Sequence, residues 1–297
     1  MITQADTLNS MVDVTLGSPV RPRDLRKESV DDVLTRVEAG LRVTLDRATV
    51  ARKRRSVGAR SDRGTWVRIE ARPLAKIVAH GQVADGMEAA SLLSDIAKPA
   101  WYAALSWYAP DSQAFWRADE VEFVSDAALQ RRMMRDVSLS ETWWATFNAS
   151  LDALAGQRTT RIATPDTEVI TQALVTQEIE RAFPGQVDTT LTEPWTPAHA
   201  DLGWANVTWP GCWIIDWEDW GMAPRGLDSA NLWASSLGIP GLAERVWQER
   251  RADLESRPGK LMALFCCAKI LRDSLLPSEM RDLVTGKAAA IVADLQR

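Results

Sequence analysis

The sequence predicts an α+β protein, with a small antiparallel β region up to about residue 124 and a larger, mostly helical region from residue 125 to 297. Three observations carry this reading. Val43 and Leu45 alternate with polar neighbours, Val67 and Ile69 do so within Thr65 to Glu70, and strand-like runs follow at Trp101 to Tyr108 and Ala114 to Val124, as expected of half-buried strands. From Leu139 onward the apolar spacing becomes that of helices, three to four residues per repeat. Inside the helical half, Val207-Thr208-Trp209 and Cys212-Trp213-Ile214-Ile215 flank Pro210-Gly211, a hairpin signal.

Composition bounds the class. The chain has 297 residues, 46% hydrophobic and 25% charged, ample for one large domain or two lobes with real cores. A net charge of −5 argues against general nucleic-acid binding, which needs a positive footprint. No apolar run approaches the roughly eighteen residues of a membrane span, so no membrane contact is expected. The start, MITQADTLNSMVDV, lacks the basic and apolar segments of a secretory signal. Cys212, Cys266 and Cys267 have no metal-like spacing and read as reduced, buried thiols of a cytoplasmic protein. Of fourteen tryptophans, five fall between Trp204 and Trp220. Most read as core, and those five could also wall an aromatic cleft.

Taken in order, residues 1 to 22 carry few apolar positions and read as a loosely held arm. Ser29 reads as the cap of a helix whose inward face is Val30, Val33, Leu34 and Val37, ended by Gly40. The strands of the β region come next. Residues 83 to 97 read as a helix, with Leu92, Leu93 and Ile96 apolar and Pro99 past its end. A hinge is expected near Glu122 to Ser125. Leu139 to Leu154 reads as a helix, as does a segment starting at Thr164-Pro165-Asp166 whose apolar face reaches Phe183. The segments Asp228 to Leu237, Gly241 to Leu254, Lys260 to Leu275 and Ser278 to Leu295 are all helix-like and punctuated by Gly or Pro.

The stretch PAHADLGWANVTWPGCWIIDWEDWGMAPRGLD, Pro197 to Asp228, holds the chemistry. His199-Ala200-Asp201 reads as a turn presenting a carboxylate, and Asn206 lies near enough to share its loop. The hairpin would return Asp216 to the end where Asn206 sits, so that an amide oxygen and a carboxylate converge. Such hard oxygen ligands suit Mg²⁺, which completes its shell with phosphates and water. Asp201 stays outside that pair, free to orient or deprotonate a hydroxyl. Together these describe a phosphoryl-transfer site. The plainer alternative is a hairpin with polar ends, Asp201 capping a helix and Asp216 pairing with an arginine.

His199-x-Asp201-x-x-x-x-Asn206 followed by Ile215-Asp216-Trp217-Glu218 resembles the catalytic and metal-binding loops of the aminoglycoside phosphotransferase family, a pattern shared by choline kinases and other small-molecule kinases. The resemblance covers roughly thirty residues. It implies a bilobal protein-kinase-like fold, ATP or GTP with Mg²⁺ as cofactors, and a small hydroxyl-bearing acceptor such as an antibiotic, an amino alcohol or a sugar. By this resemblance His199 shapes the loop and Asp228 braces it, both structural.

The same resemblance organises the β region. The basic run from Arg52 to Gly64 could be an exposed loop or a nucleic-acid patch; with the motif downstream it reads as the hairpin over the nucleotide phosphates, Gly58 and Gly64 easing its turns. In the family the next strand supplies a lysine to the phosphates, and a helix supplies a glutamate to hold it. Here Arg68 stands at the lysine position, which departs from the pattern, and Glu88 is the candidate partner, with an exposed surface glutamate the other reading. Trp66, two residues earlier on the same strand face, would crowd an adenine pocket. Glu218 and Asp219 add negative charge beside Asp216: Glu218 could bind metal through water, either could contact a cationic acceptor, and solvated loop acids are the other reading. Residues up to Ser125 carry a net charge of about +1 and the rest about −6, an imbalance that could steer cationic substrates or simply aid solubility. The rival function is a weak or inactive nucleotide-binding protein that keeps the kinase-like fold. A metal-dependent hydrolase would lack the further metal ligands usually needed.

Overall fold

In the computed structural model of the chain, a five-stranded antiparallel sheet dominates the first half, in the order β1-β2-β3-β5-β4. The structure describes residues 24–80, 84–130, 134, 138–165, 168–239 and 241–297. The strands are β1 (Ala51–Arg52), β2 (Ser56–Arg60), β3 (Trp66–Pro73), β4 (Trp101–Ala109) and β5 (Ala114–Val121). Their alternation sorts the residues of β3 onto two faces. Val67, Ile69 and Ala71 join Val57, Trp116 and Ala118 in one buried cluster, covered by helix α1 (Asp31–Leu41) through Val33, Leu34, Val37 and Leu41. The opposite face carries Trp66, Arg68, Glu70 and Arg72 and looks toward the large lobe.

Several sequence expectations shift here. Ser29 bonds Asp31, but the cap position belongs to Val30 without a side-chain bond. Gly40 does not end α1. The helix runs on to Leu41 and closes at Arg42 in the left-handed region, while a Cβ at Gly40 would overlap Leu105. Leu45 forms only an isolated bridge with Ser61, because a short 3₁₀ turn at Arg47–Thr49, capped by Asp46, replaces a longer strand.

The expected helix over 83 to 97 is the largest difference. After α2 (Leu74–His80), only α3 (Gly86–Ala89) and a 3₁₀ turn (Ala90–Leu92) form, and the chain then runs irregularly to β4. Tertiary packing overrides the helical pattern. Ala90 and Leu93 are buried in the large-lobe cluster, Ala97 N–H donates to Ser150 Oγ (3.1 Å), and the Ala97 carbonyl accepts from Ile214 N–H (2.7 Å). The segment thus straps the sheet to the helices. Residues 81–83 and the arm expected over 1 to 22 lie outside the described residues.

The second half holds β6 (Ala127–Ala128), α4 (Glu141–Ala155), α5 (Gln172–Ala182), β7 (Thr196–Ala198), β8 (Thr208–Trp209), β9 (Gly221–Ala223), α6 (Leu227–Ser236), α7 (Leu242–Glu249), α8 (Arg251–Leu254), α9 (Arg257–Leu271) and α10 (Ser278–Leu295). Side-chain oxygens of Ser140, Thr171 and Ser256 cap α4, α5 and α9, which fixes starts that apolar spacing alone misplaces: α5 begins at Gln172 rather than near Thr164. The core is aromatic. Trp143, Trp144, Phe147 and Trp204 form one cluster with ring centroids 5.1–6.2 Å apart. Trp217 and Trp220 are also buried, whereas Trp209 is 40% exposed. All three cysteines are buried thiols outside any disulfide. Among the described residues no helix is long and apolar enough to cross a membrane.

Candidate active site

The motif segment hangs from a two-stranded ribbon. β7 and β9 pair antiparallel, Thr196 with Ala223 and Ala198 with Gly221, so residues 199–220 leave and return at one point. Behind this excursion stands Asp228, in the first turn of α6 and buried. Its two oxygens accept from His199 N–H (2.6 Å) and Ala200 N–H (2.9 Å). Burial raises its carboxyl above the usual range, opposed by His199 and by those two donors. Asn231, one turn further on, donates to the Ala200 carbonyl (3.0 Å). With both its peptide groups anchored, Ala200 is held at φ 72°, a region that costs a residue with a Cβ.

That fixed turn delivers Asp201 to the cleft, where it is exposed. Asn206 Nδ2 donates to the Asp201 carbonyl (2.7 Å) and to its Oδ2 (3.1 Å). The protein packed around the Asp201 carboxyl pushes it above the ordinary aspartate value, His199 pulls the other way, and Asp216 and Asp219 add to the rise. His199 itself is wholly buried, its Nε2 3.0 Å from the Ile215 carbonyl and its ring edge-on to Trp217.

The return limb matches the expected hairpin in outline. Val207 bridges Ile214, Thr208 N–H donates to the Trp213 carbonyl, and Ile215 N–H donates to the Asn206 carbonyl (2.9 Å). Asp216, next in the chain, is therefore beside Asn206, at φ 73°. Asn206 spends its amide N–H groups on Asp201, which leaves its amide oxygen as the free ligand atom. Asp216 Oδ1 is buried without a hydrogen bond. Among the described residues no group of three His, Cys, Asp or Glu side chains is arranged for a metal, so the protein offers one carboxylate and one amide oxygen. That donor set fits Mg²⁺, which takes few protein ligands when phosphates supply the rest.

The other half of the cleft is the charged face of β3. Arg68 points across to the large lobe: Nε is 3.3 Å from Asp216 Oδ1, and the guanidinium also meets Glu218 and, at 3.1 Å, Glu70. Arg72 reaches Glu70 (3.0 Å), Asp219 (3.6 Å) and Glu218 (3.7 Å). Burial opposes the charged form of both arginines, yet the surrounding carboxylates hold their pKa values above the ordinary one. Burial likewise raises Asp216, but Arg68 and Lys53 outweigh it and keep that carboxyl low. Glu218 goes the other way, raised by burial and by neighbouring Glu70, Asp216 and Asp219 against the pull of Arg68. The pairing of Asp216 with an arginine, the plainer alternative, is thus present beside the candidate metal ligands.

Four expectations need correction. Glu88 does not pair with Arg68. It is half exposed and bonds Arg117 (2.9 Å), because no long helix forms there to aim it inward, and Glu70 and Glu218 take its place. Gly58 is not at a turn: it lies mid-strand in β2, opposite Arg68, where a Cβ would overlap the Trp66 indole. Gly64 does sit in a turn, at φ 76°, but this is the β2–β3 turn, at the opposite end of β2 from the β1–β2 turn that carries Lys53. Glu218 and Asp219 are not presented to an acceptor. Both face Arg68 or Arg72, and Asp219 also accepts from Thr164 Oγ1 (2.7 Å). Reading the residues singly missed Lys53, Glu70, Arg72 and Asn231. The visible signal was Arg68-x-Glu70-x-Arg72, charges repeating every second residue on one face of a strand otherwise apolar.

The lobes meet closely along this line. Trp220 Nε1 donates to the Gly86 carbonyl (2.8 Å), Arg161 pairs with Asp85 (2.5 Å), and any Cβ at Gly86 would overlap the Glu218 backbone. At the Trp66 end of β3, the Trp66 ring lies near Phe123 (6.2 Å) and the Arg60 guanidinium stacks on Phe123 (4.3 Å).

The family model described as "Phosphotransferase enzyme family" matches residues 121–260. No curated protein matches the chain. Among solved structures, an aminoglycoside 2'-phosphotransferase-IIIa with GDP aligns with TM-score 0.55 and 14% identity over 86% of this chain and 97% of that one. An amicoumacin kinase in complex with AMP-PNP and Ca²⁺ aligns with TM-score 0.53 and 10% identity, over 90% and 94%. A choline/ethanolamine kinase family protein from Mesorhizobium loti gives 0.52 and 14%, over 90% and 95%. At these identities the solved structures speak to fold. Residues 121–260 match the phosphotransferase enzyme family, and over 86–90% of its length the chain has the protein-kinase-like fold of the aminoglycoside phosphotransferases and choline kinase-like proteins it resembles, so that by class it is a phosphotransferase.

Proposed function

We propose that this chain transfers the γ-phosphoryl group of ATP or GTP to a hydroxyl of a small molecule. The observation that carries the reading is the placement of Asp201 against Asn206 on a loop that Asp228 holds by two peptide N–H groups, with the Ile215–Asn206 backbone bond returning Asp216 to the same point. Residues to about 124 form the nucleotide-binding side and residues 125–297 the catalytic and acceptor-binding side.

In this reading Asp201 orients the acceptor hydroxyl and takes its proton as the oxygen bonds to the γ-phosphorus. The bond from that phosphorus to the bridging oxygen breaks, and the nucleoside diphosphate leaves. Asn206, through its amide oxygen, and Asp216 would hold Mg²⁺. When bound, Mg²⁺ neutralises charge on the phosphate oxygens. His199 and Asp228 keep the turn in place without moving a proton.

The test is a screen of hydroxyl-bearing compounds (aminoglycosides and other antibiotics, amino alcohols, sugars) with ATP–Mg²⁺ and GTP–Mg²⁺, followed by mass spectrometry for an added phosphate. A phosphorylated product that disappears in Asp201→Asn is expected. A second reading, nucleotide binding without transfer, is favoured by Trp66, whose indole covers Gly58 on the base side of the cleft. Bound nucleotide with no phosphorylated product across the screen would select it.

A further inference from the structure

Resting on the nucleotide-cleft reading above, we infer that Lys53, in the β1–β2 turn, is the side chain that takes up the charge of the polyphosphate, and that Arg68 is a fixed tie between the lobes.

Among the described residues three cations, Arg68, Arg72 and Lys53, face the carboxylates of the cleft, and they differ in how committed they are. The Arg68 side chain is 17% exposed and shares its guanidinium among Glu70, Asp216 and Glu218. The Arg72 side chain is 9% exposed and has Glu70, Glu218 and Asp219. To grip a phosphate, either would have to give up buried ionic contacts and leave a carboxylate unpaired in a poorly solvated place, which is costly. Their arrangement joins β3 of the small lobe to the Asp216–Asp219 segment of the large one.

Lys53 is placed differently. The β1–β2 turn is closed by Lys53 N–H on the Ser56 carbonyl (2.8 Å). From it the side chain extends 76% exposed, its Nζ 3.9 Å from Asp216 Oδ2. The ammonium thus hangs over the same carboxylate that would share Mg²⁺ with Asn206, yet it holds one long, solvent-facing contact. A flexible four-carbon stem ending in a compact charge can swing onto phosphate oxygens there without breaking anything buried. Arg68, by contrast, reaches Asp216 only as part of a saturated ladder. The charge for the phosphates therefore comes from the turn above the site, and the strand position is occupied by a clamp.

The experiment is calorimetric titration of the full chain and its variants with three probes: inorganic tripolyphosphate, ATP and GTP, each with Mg²⁺. Lys53→Ala should weaken tripolyphosphate binding at least about tenfold, the effect of losing a contact to a charged group, and the loss should shrink as salt rises. Lys53→Arg should stay within about threefold of the parent, as should Arg54→Ala, which removes an exposed charge from the same turn. Lys53 is on the surface, so its variants should unfold at the parent's temperature. Tripolyphosphate binding equal in parent and Lys53→Ala overturns the inference, and does so whether or not the parent phosphorylates an acceptor. Lys53-dependent tripolyphosphate binding in a chain that binds neither nucleotide leaves the inference standing and sinks the kinase reading. A parent that binds none of the three probes sinks both.

Discussion

The two walls of the cleft are built by different physics. On the large-lobe wall the site is held by neutral backbone groups: Asp228 takes the His199 and Ala200 N–H groups, Asn231 takes the Ala200 carbonyl, and Asn206 takes Asp201. Every one of these partners lies within 199–231, and the positive φ of Ala200 and Asp216 is the cost of aiming two carboxylates at one point. On the small-lobe wall there is no such scaffold. Arg68 and Arg72 stand on a strand face with Glu70 between them, and their other carboxylate partners lie about 150 residues away in sequence. The first wall is preorganised by itself; the second is organised only when the lobes are together.

Breaking the second wall should have the largest effect. Arg68→Ala removes one partner from a buried ionic group and leaves Glu70 and Glu218 to Arg72 and Asp216 to the long contact with Lys53, a change that typically costs about 3–5 kcal/mol. Chemical denaturation should show that loss, and hydrogen exchange should show it concentrated at β3 and at 216–220. A loss below about 1 kcal/mol would mean that the lobes are not held by this ladder.

The first wall should respond next. Asp228→Ala leaves two buried peptide N–H groups without an acceptor, each costing about 1–3 kcal/mol, and should reduce turnover by disordering the 199–206 turn. Unchanged turnover at full folding would show that the turn holds its shape without Asp228.

Asp201→Asn separates chemistry from scaffold. It keeps an acceptor for Asn206, so stability and nucleotide affinity should stay near those of the parent, while turnover with an authentic acceptor falls at least about a hundredfold. Survival of turnover would remove Asp201 from the role of base.

The smallest effect sharpens the comparison away from the cleft. Asp253 ties α6, α7 and α8 together through Arg225 (3.1 Å), Arg250 (2.6 Å) and Ser229 (3.0 Å). Burial works to raise its carboxyl, but Arg250 and the hydrogen bonds prevail and hold it below the usual value. A folded-state value below the unfolded one means that its stability contribution is present above the ordinary aspartate pKa and is lost as pH falls through the depressed value. Asp253→Asn should therefore flatten the fall of the melting temperature between neutral pH and about pH 3. A variant whose acid sensitivity matches the parent's would place the titrating groups elsewhere.

Much of the large-lobe site was legible because its determinants are local. Asp201, Asn206 and Asp216 are set by a short loop and a short hairpin, and turn chemistry together with alternation is enough to bring them to one place. The strand-to-helix switch near residue 124 was legible for a similar reason, since the two periods differ along the chain itself. The 83–97 segment shows the limit: its apolar spacing satisfies a helix, yet Ala90, Leu93 and Ala97 are spent on the large lobe and the helix stops after the single turn Gly86–Ala89.

What the sequence by itself determined, then, is the order of elements, the class of site and its three central oxygen-bearing side chains. Only the tertiary structure decided which cation meets which carboxylate. Arg68 finds Glu218 rather than Glu88, Glu88 finds Arg117, Gly58 makes room for Trp66, and Lys53 hangs over Asp216. The reason is physical: a hydrogen-bonded loop is fixed by the few residues it contains, whereas a charge carries no preference for a particular opposite charge until packing has set the distances and excluded the water between them.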